Sequence, residues 1–278
     1  MTDAGVTVVV MTRNGWDDLR KTLPRHEGPV IVVDNGSTDS TPARVREHFP
    51  HVRLIELPEN RGAPARNLGV EAAHTPYVAF ADDDSWWAPG ALDRAVAVFH
   101  AHPRLAVLAG RMTVEPGQRL DPVCAAMAAS PLGTEPDLPG PSVLGFLACG
   151  AVVRRTAFLE VGGFDPVVFF MGEEERVALD LATAGWGLAY VDAVVAHHAP
   201  APARDRSDRA ARARRNHLLT AVMRRPLTRV VAAAGADLRS AAGRKALVQA
   251  VPALSEAWRR RAVVPPDVER SRRLLDVD

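Results

Sequence analysis

PYVAFADDDS, residues 76–85, is the stretch on which the fold turns. Tyr77 to Ala81 form a short apolar run bounded by Pro76 and by three aspartates, the pattern of a buried strand that stops at a charged edge. Three adjacent carboxylates repel one another, so placing them at a strand end costs free energy unless a cation or solvent compensates. Upstream the same theme recurs in VTVVVMT (6–12), PVIVVDNGSTD (29–39) and VRLIEL (52–57), and downstream in RLAVLAG (104–110). Helical stretches separate these runs, near 17–23, 41–48 and 90–101, and 60–74 reads as a loop running into a helix. Repeated strand–helix–strand units predict an α/β fold with a mostly parallel central sheet flanked by helices. In such sheets the carboxyl ends of the strands line the binding crevice. Two of these strands end in aspartate, Asp34 and Asp82 to Asp84.

Past this core, residues 115–142 are rich in Pro and Gly and read as a long loop, a candidate lid. Residues 144–155 read as a strand pair or a strand entering a helix, 162–165 as a turn, Glu173–Ala184 as a helix closed by Gly185, and 187–198 as two short strands. PAPAR (200–204) reads as a linker, followed by Arg/Ala-rich helices near 205–225, 227–247 and 249–262, with the last residues frayed. The expected organisation is an α/β domain over 1–200 and an Arg/Ala-rich helical C-terminal extension over 201–278.

The 278 residues carry a formal net charge of +1, which argues against a nucleic-acid binder. The balance is uneven: residues 201–278 hold 18 Arg/Lys against 8 Asp/Glu, leaving about −9 on the first 200. A basic tail on an acidic body suits contact with anionic partners such as phospholipid or a polyphosphate-linked substrate; a solvated basic face is the alternative. Cys124 and Cys149 have no metal-ligand spacing and fit a reducing compartment. No signal-peptide pattern and no apolar run of about 18 residues is present, so the expected location is the cytoplasm, with peripheral contact at the inner membrane face left open.

Hard divalent ions prefer carboxylate oxygens, and Mg²⁺ sites commonly combine one or two carboxylates with substrate phosphates, so the Asp-x-Asp spacing of Asp82 and Asp84 at a crevice edge points to a metal. A solvated acidic loop is the competing reading. In VVDNGSTD (32–39) the carboxylate of Asp34 stands where it can accept hydrogen bonds from a ribose or base, although Asn, Gly, Ser and Asp are also ordinary turn residues.

Taken together, VTVVVMTRN, VIVVDNGSTDST, NRGAPARNLGVEAA, YVAFADDDSWWAPGAL, GAVVRRTAFLEVGGFD and GEEERVALDLATAGWGLAYVDAVVAHH resemble, in order and over about residues 5–198, the glycosyltransferase family 2 pattern. The resemblance implies a GT-A (nucleotide-diphospho-sugar transferase) fold and an inverting, hexosyltransferase-type enzyme using a divalent cation, Mn²⁺ or Mg²⁺. It also implies a nucleotide-sugar donor, with UDP-sugars the commonest, and a hydroxyl acceptor, lipid-linked or glycan among the options. By resemblance, Thr12 and Arg13 flank the nucleobase, Asp34 holds the base or ribose, and Ser37 and Asp39 shape that loop. Arg66 reaches the uracil side or the diphosphate, Asp82 and Asp83 belong to the nucleotide-binding edge, and Asp84, with Asp82, ligates the metal. His197 or His198 stands where some members place an additional metal or phosphate ligand.

The family's Glu-Asp, whose Asp serves as base, falls on Glu173 and Glu174, so Glu174 is the candidate base, with Glu173 and Glu175 as rivals. The family's Asp and, four residues on, Arg are exchanged here for Arg176 and Asp180, a pairing that i,i+4 spacing still permits. An acidic helix N-terminus is the bland account of this run. Trp86 and Trp87 offer a platform for a sugar ring or simply pack. Arg212, Arg215 and Asn216 resemble an RxxRN stretch that follows the catalytic domain in some relatives, where it closes the site or faces membrane; solvated basic surface is the alternative. Two other functions compete: a sugar-1-phosphate nucleotidyltransferase, which needs a Gly-rich phosphate loop that TRNGWDD does not supply, and a non-catalytic nucleotide-binding scaffold.

Overall fold

The apolar runs become strands because both of their faces are covered. β1 (Val6–Thr12) has six of its seven residues buried, which is why it lacks the alternation of a half-exposed strand. A computed structural model describes residues 5–200 and 207–276. After β1 come α1 (Trp16–Thr22), β2 (Val30–Asp34), α2 (Thr41–His48), β3 (Arg53–Glu56), α3 (Ala65–Ala72), β4 (Tyr77–Asp82), β5 (Ser85–Trp87) and α4 (Ala91–Ala101). Next are β6 (Leu105–Val114), β7 (Arg119–Leu120), α5 (Pro122–Ala128), β8 (Ala151–Arg154), α6 (Arg155–Glu160), α7 (Glu173–Thr183) and β9 (Gly187–His198). Four helices follow: α8 (Ser207–Arg224), α9 (Leu227–Asp237), α10 (Ala241–Arg259) and α11 (Pro266–Leu274).

The sheet runs β3-β2-β1-β4-β8-β6-β9-β5, with β7 paired to β6. β3, β2, β1 and β4 are parallel, β8 runs against both β4 and β6, and β9 returns parallel to β6. The sheet is therefore mixed but mostly parallel in strand direction. Register places Thr12 opposite Asp34 and Met11 opposite Asp82, so the ends of three adjacent strands deliver their polar residues to one edge. The main core lies on this sheet, with Phe80, Phe158 and Phe164 in mutual ring contact at 5.2–5.5 Å.

Several expectations need correction. Residues 187–198 form one strand bent by a register shift against Gly110/Arg111, not two strands. The stretch 115–142 is not all loop: β7 and α5 interrupt it, and α5 is capped by Asp121, whose side chain accepts from Val123 N, with Pro122 as its first residue. That Asp-Pro start signal was present in the sequence. The second C-terminal helix stops at Asp237 rather than 247, and 266–274, expected to fray, is α11, with Val268 buried against Leu144 and Leu179. The linker at 200–204 lies, after Pro200, outside the described residues, as does the helix start expected at 205. α8 and α10 share a second core with Val167 and Val168, so the C-terminal helices pack on the segment that leads into α7.

Candidate active site

The aspartates at the end of β4 divide the work. Asp83 turns inward and accepts a hydrogen bond from Thr12 Oγ1 at 2.8 Å, while its carbonyl accepts from Thr22 Oγ1 at 2.8 Å. Burial pushes its carboxyl up to about 7; the Thr12 hydrogen bond opposes this, and the neighbouring charges of Asp82 and Asp84 add to it. Gly15 makes the inward turn possible: a Cβ there would fall 1.9 Å from Asp83 Oδ2. Asp83 thus ties the end of β4 to β1 and α1. Asp82 turns the other way, with Oδ1 2.5 Å from Arg66 Nη2.

Asp34, buried at the end of β2, accepts from Ser37 N at 3.0 Å and from the Ser37 hydroxyl. Arg13 lies across this turn, with Nε 3.3 Å from Gly36 O. Asn14 stitches the two loops together, its N–H donating to Ser37 Oγ and its Oδ1 accepting from Thr38 N. Asp39 is exposed and accepts from Thr41 N at 2.9 Å, so it shapes the start of α2 from the rim. Asn35 was passed over at the sequence level as a turn residue. Buried, it accepts from Arg61 N at 2.8 Å and donates to Gly62 O at 3.1 Å, locking the 59–63 loop to β2.

Arg66, expected at the uracil side or the diphosphate, is turned inward between two carboxylates. It is 1% exposed, and α3 holds it against the Phe164 ring with Nη1 3.5 Å from Glu173 Oε1 and Nη2 on Asp82. Burial disfavours its charge, but Asp82 and Glu173 outweigh burial and raise its pKa. Arg66 therefore links the strand-end carboxylates to the start of α7. Asn67, next to it, clamps the 162–165 turn through Phe164 N and O.

The three glutamates point three ways, as successive residues on a helix must. Glu173 is 2% exposed, faces Arg66, and has its carboxyl pKa raised by burial against that attraction. Glu174 is partly buried and accepts from Ala148 N at 3.2 Å; burial, then the Glu173 charge, push its carboxyl up to about 8. Glu175 is turned away from the strand-end aspartates, 2.9 Å from His217 Nδ1 and 2.8 Å from Arg272 Nε. Burial pushes its carboxyl up, but the His217 hydrogen bond and the charges of His217 and Arg272 prevail and hold it at about 2. Arg176 and Asp180 do pair, at 2.9 Å. The pair is not an exposed one, however: Asp165 at 3.6 Å from Arg176, and Arg224 on Asp180, complete a buried network.

The turn before α7 is strained, with φ of +64° at Phe169 and +75° at Met171, a region disfavoured for residues bearing a Cβ. It is held from both sides. Ala63 N donates to Phe169 O at 2.6 Å, and Asn216 on α8, fully buried, donates from Nδ2 to both Phe170 O and Met171 O at 2.7 Å.

On the other flank, His198 rather than His197 stands beside the carboxylates, with Nε2 3.3 Å from Asp84 Oδ1. Burial lowers the pKa of His198, but the Asp84 hydrogen bond and charge prevail and raise it. His197 bonds Thr113 and Glu115 and stacks on Trp86 at 5.2 Å, because adjacent residues of a strand face opposite sides. Trp86 also receives the Arg25 guanidinium at 4.1 Å, whereas Trp87 is buried, with Nε1 on Phe80 O, and cannot be a sugar platform.

Among the described residues no three His, Cys, Asp or Glu groups converge as a closed metal cage. Asp84 and His198 form an oxygen–nitrogen donor pair, with Asp82 already engaged by Arg66. A two-donor edge fits a divalent ion whose other positions come from a diphosphate and water, and the imidazole favours Mn²⁺ over Mg²⁺.

Comparison with known proteins agrees with this geometry. The model of Glycosyl transferase family 2 matches residues 7–162. An N-acetylglucosaminyl-diphospho-decaprenol L-rhamnosyltransferase of Mycobacterium tuberculosis is 29% identical over 203 residues, covering 61% of this chain and 66% of its own. A pre-mycofactocin glycosyltransferase of the same organism is 33% identical over 201 residues, 69% of this chain and 42% of its own. The chain thus spans just under two thirds of the first relative and less than half of the second. Among solved structures, a mannosyltransferase from Pyrobaculum calidifontis, in complex with GDP-Man and Mn²⁺, superposes with a TM-score of 0.62 at 25% identity, over 98% of this chain and 78% of its own. Staphylococcus aureus TarS in complex with UDP-GlcNAc superposes at 0.58 and 17% identity, over 78% of this chain and 66% of its own, a likeness of fold. With its family match spanning more than half its length and the strand-end carboxylates in place, the chain belongs to glycosyl transferase family 2.

Proposed function

We propose that this chain is an inverting glycosyltransferase that takes a nucleoside-diphosphate sugar, with UDP as the expected nucleotide, and passes the sugar to a hydroxyl acceptor. The observation that carries the reading is the Arg66 bridge, which ties the strand-end carboxylates to the glutamates of α7 in one cluster. The edge made by Thr12, Arg13, Asp34 and Ser37 receives the nucleoside. Asp84 and His198 would hold a divalent cation, which when bound neutralises charge building on the departing diphosphate. Glu174 is the proposed base: of the three glutamates it is neither locked to Arg66 nor paired with His217 and Arg272. Its raised pKa suits it to take the acceptor hydroxyl's proton near neutral pH as that oxygen attacks the anomeric carbon. Attack from the face opposite the leaving group inverts the configuration.

The rhamnosyltransferase relative, by its name, acts on a diphosphate-linked polyprenol, and a lipid-linked acceptor is proposed here on that ground. Two features of the C-terminal helices support peripheral contact with an anionic phospholipid surface. Val248, Val251 and Trp258 form one exposed stripe on α10, and Leu227, Val231 and Leu238 another along α9. Residues 227–263 carry seven Arg/Lys against two Asp/Glu. An apolar face ringed by basic charge lies in a lipid interface rather than across it, and no helix among the described residues is long and apolar enough to cross a membrane. In this reading residues 1–200 carry the chemistry and 201–278 carry the contact with the acceptor's environment.

The test is a panel of sugar nucleotides screened by thermal shift with Mn²⁺, followed by donor hydrolysis and transfer assays on wild type, Glu174→Ala and Asp84→Ala. Turnover that is lost in both variants supports the enzyme. Tight nucleotide binding with no turnover for any acceptor would identify a scaffold instead.

A further inference from the structure

Behind the strained turn that precedes α7 lies a cleft of about 430 Å³ whose polar lining is Asn60, Arg212, Arg215 and Gln249, beside the Phe169 ring. Among the described residues no carboxylate lines it. Arg215 is half-buried and spends its guanidinium on neutral oxygens alone: Gln249 O at 3.2 Å, Val167 O at 3.3 Å and Asn216 Oδ1 at 2.6 Å. Arg212, one helical turn earlier and exposed, makes no ion pair among the described residues. Most other arginines in the C-terminal helices are neutralised: Arg214 by Asp237, Arg224 by Asp180, Arg225 by Glu269 and Asp276, Arg260 by Glu256 and Asp165. Burial, then the like charge of Arg212, lower the pKa of Arg215.

We propose that this cleft is an anion subsite for a phosphate or diphosphate group other than the donor's, held by Arg212 and Arg215 with the amides of Asn60 and Gln249 as further hydrogen-bond partners. The inference rests on the glycosyltransferase reading and deepens it, since it makes the acceptor a phosphate-bearing molecule. Planar guanidinium groups present paired donors that match phosphate oxygens, and two of them with no carboxylate partner among the described residues favour a dianion. Placement gives the subsite a purpose. Gln249 adjoins Val248 of the exposed apolar stripe on α10, and the Phe169 turn runs directly into Glu173 and Glu174. An acceptor with an apolar tail, a diphosphate and a sugar would meet those three surfaces in that order.

Inorganic pyrophosphate is the probe, titrated calorimetrically into the full chain in metal-free buffer, alongside UDP titrated with Mn²⁺. Wild type, Arg212→Gln, Arg215→Lys and Asp84→Asn are compared, with thermal melts to confirm folding. Arg212 is exposed, so Arg212→Gln folds as wild type does. The expected result is a double dissociation. Arg212→Gln weakens pyrophosphate about tenfold or more, the scale of one lost charge-assisted hydrogen bond, and leaves UDP unchanged. Asp84→Asn does the reverse, and Arg215→Lys, keeping charge but losing the fork, falls between. Equal pyrophosphate affinity in wild type and Arg212→Gln overturns the subsite. So does an equal loss of UDP affinity in Arg212→Gln, which would assign the arginines to the donor's phosphates. UDP–Mn²⁺ binding by wild type is read in the same experiment, so failure of the nucleotide-sugar reading shows separately as its absence.

Discussion

Arg66 Nη1 lies 3.5 Å from Glu173 Oε1, with both side chains almost wholly withdrawn from water. The same guanidinium holds Asp82, so one buried cation carries two carboxylates, and Glu173 Oε2 and Arg66 Nε have no further hydrogen-bond partner among the described residues. Removing the cation leaves the buried Glu173 and the partly exposed Asp82 without their shared partner. Arg66→Met is expected to lower folding stability by about 3–5 kcal/mol, the usual cost of breaking a buried pair from one side. Arg66→Lys keeps the charge but cannot span both partners, so it should lose about half as much. Urea denaturation of the three proteins measures this; equal midpoints would show that the bridge carries no load.

Glu174→Gln should reduce kcat by about 10²–10⁴, the contribution of a positioned base. Because the carboxyl titrates near 8, the wild-type rate should rise with pH and level off above that point. The stability effect has the opposite sign. A carboxyl whose folded pKa lies above its ordinary value favours the folded state at low pH, and that contribution is lost as pH rises through about 8. Glu174→Gln should therefore melt at the wild-type temperature near pH 4 and above it at pH 9. A variant that loses activity without gaining alkaline stability would contradict the buried-base account.

Glu175 offers the mirror case. Its folded pKa, near 2, lies below the ordinary carboxylate value, so its contribution is present at neutral pH and lost as pH falls toward 2. Glu175→Gln should destabilise by about 1–3 kcal/mol at pH 7, by leaving the partly buried His217 without its counter-charge and Arg272 with Asp276 alone. The gap to wild type should narrow in acid. Donor hydrolysis by the folded fraction should stay within about twofold of wild type, since this carboxylate faces away from the strand-end aspartates; a hundredfold loss would restore Glu175 as a base.

The two histidines at the end of β9 should separate cleanly. His198→Ala is expected to weaken Mn²⁺ binding in the presence of UDP at least tenfold, a scale seen when a single coordinating or supporting group is lost. His197→Ala should leave it unchanged and instead loosen the Trp86 stack. Mn²⁺ titration followed by electron paramagnetic resonance discriminates the two, and the reverse pattern would return the ligand role to His197.

Trp258→Ser combined with Val251→Ser should abolish sedimentation with vesicles containing anionic phospholipid while leaving donor hydrolysis in solution intact. Binding to wholly zwitterionic vesicles should be weak even for wild type, because the basic surround contributes about 1 kcal/mol per charge only against a negative surface. Equal binding to both vesicle types would remove the electrostatic half of the argument.

The sheet, its strand ends and the placement of Asp34, Asp82 and Asp84 were legible because short apolar runs broken by aspartate are a local signal. The i,i+4 pairing of Arg176 with Asp180 was legible for the same reason. What stayed hidden depends on contacts between distant segments. Nothing in the ARN segment says that Arg66 will turn inward to meet a glutamate 107 residues later. The choice between His197 and His198 is a matter of strand phase, set by a bulge in β9 that no single-residue pattern announces. Trp87 reads like Trp86 until the antiparallel pairing of β5 with β9 sends one ring inward and the other to the rim.

Asn216 sits on a helix beyond residue 200, yet its amide fixes the two carbonyls just ahead of Glu173. A protein cut after the last strand would keep the strand-end aspartates and Glu173 to Glu175 and still lose the brace that orients the latter. Swapping C-terminal segments between relatives is then not a neutral exchange of anchors. Each graft would shift the turn that leads into Glu173 and Glu174, so, on the proposed function, acceptor choice and catalytic alignment would have to change together.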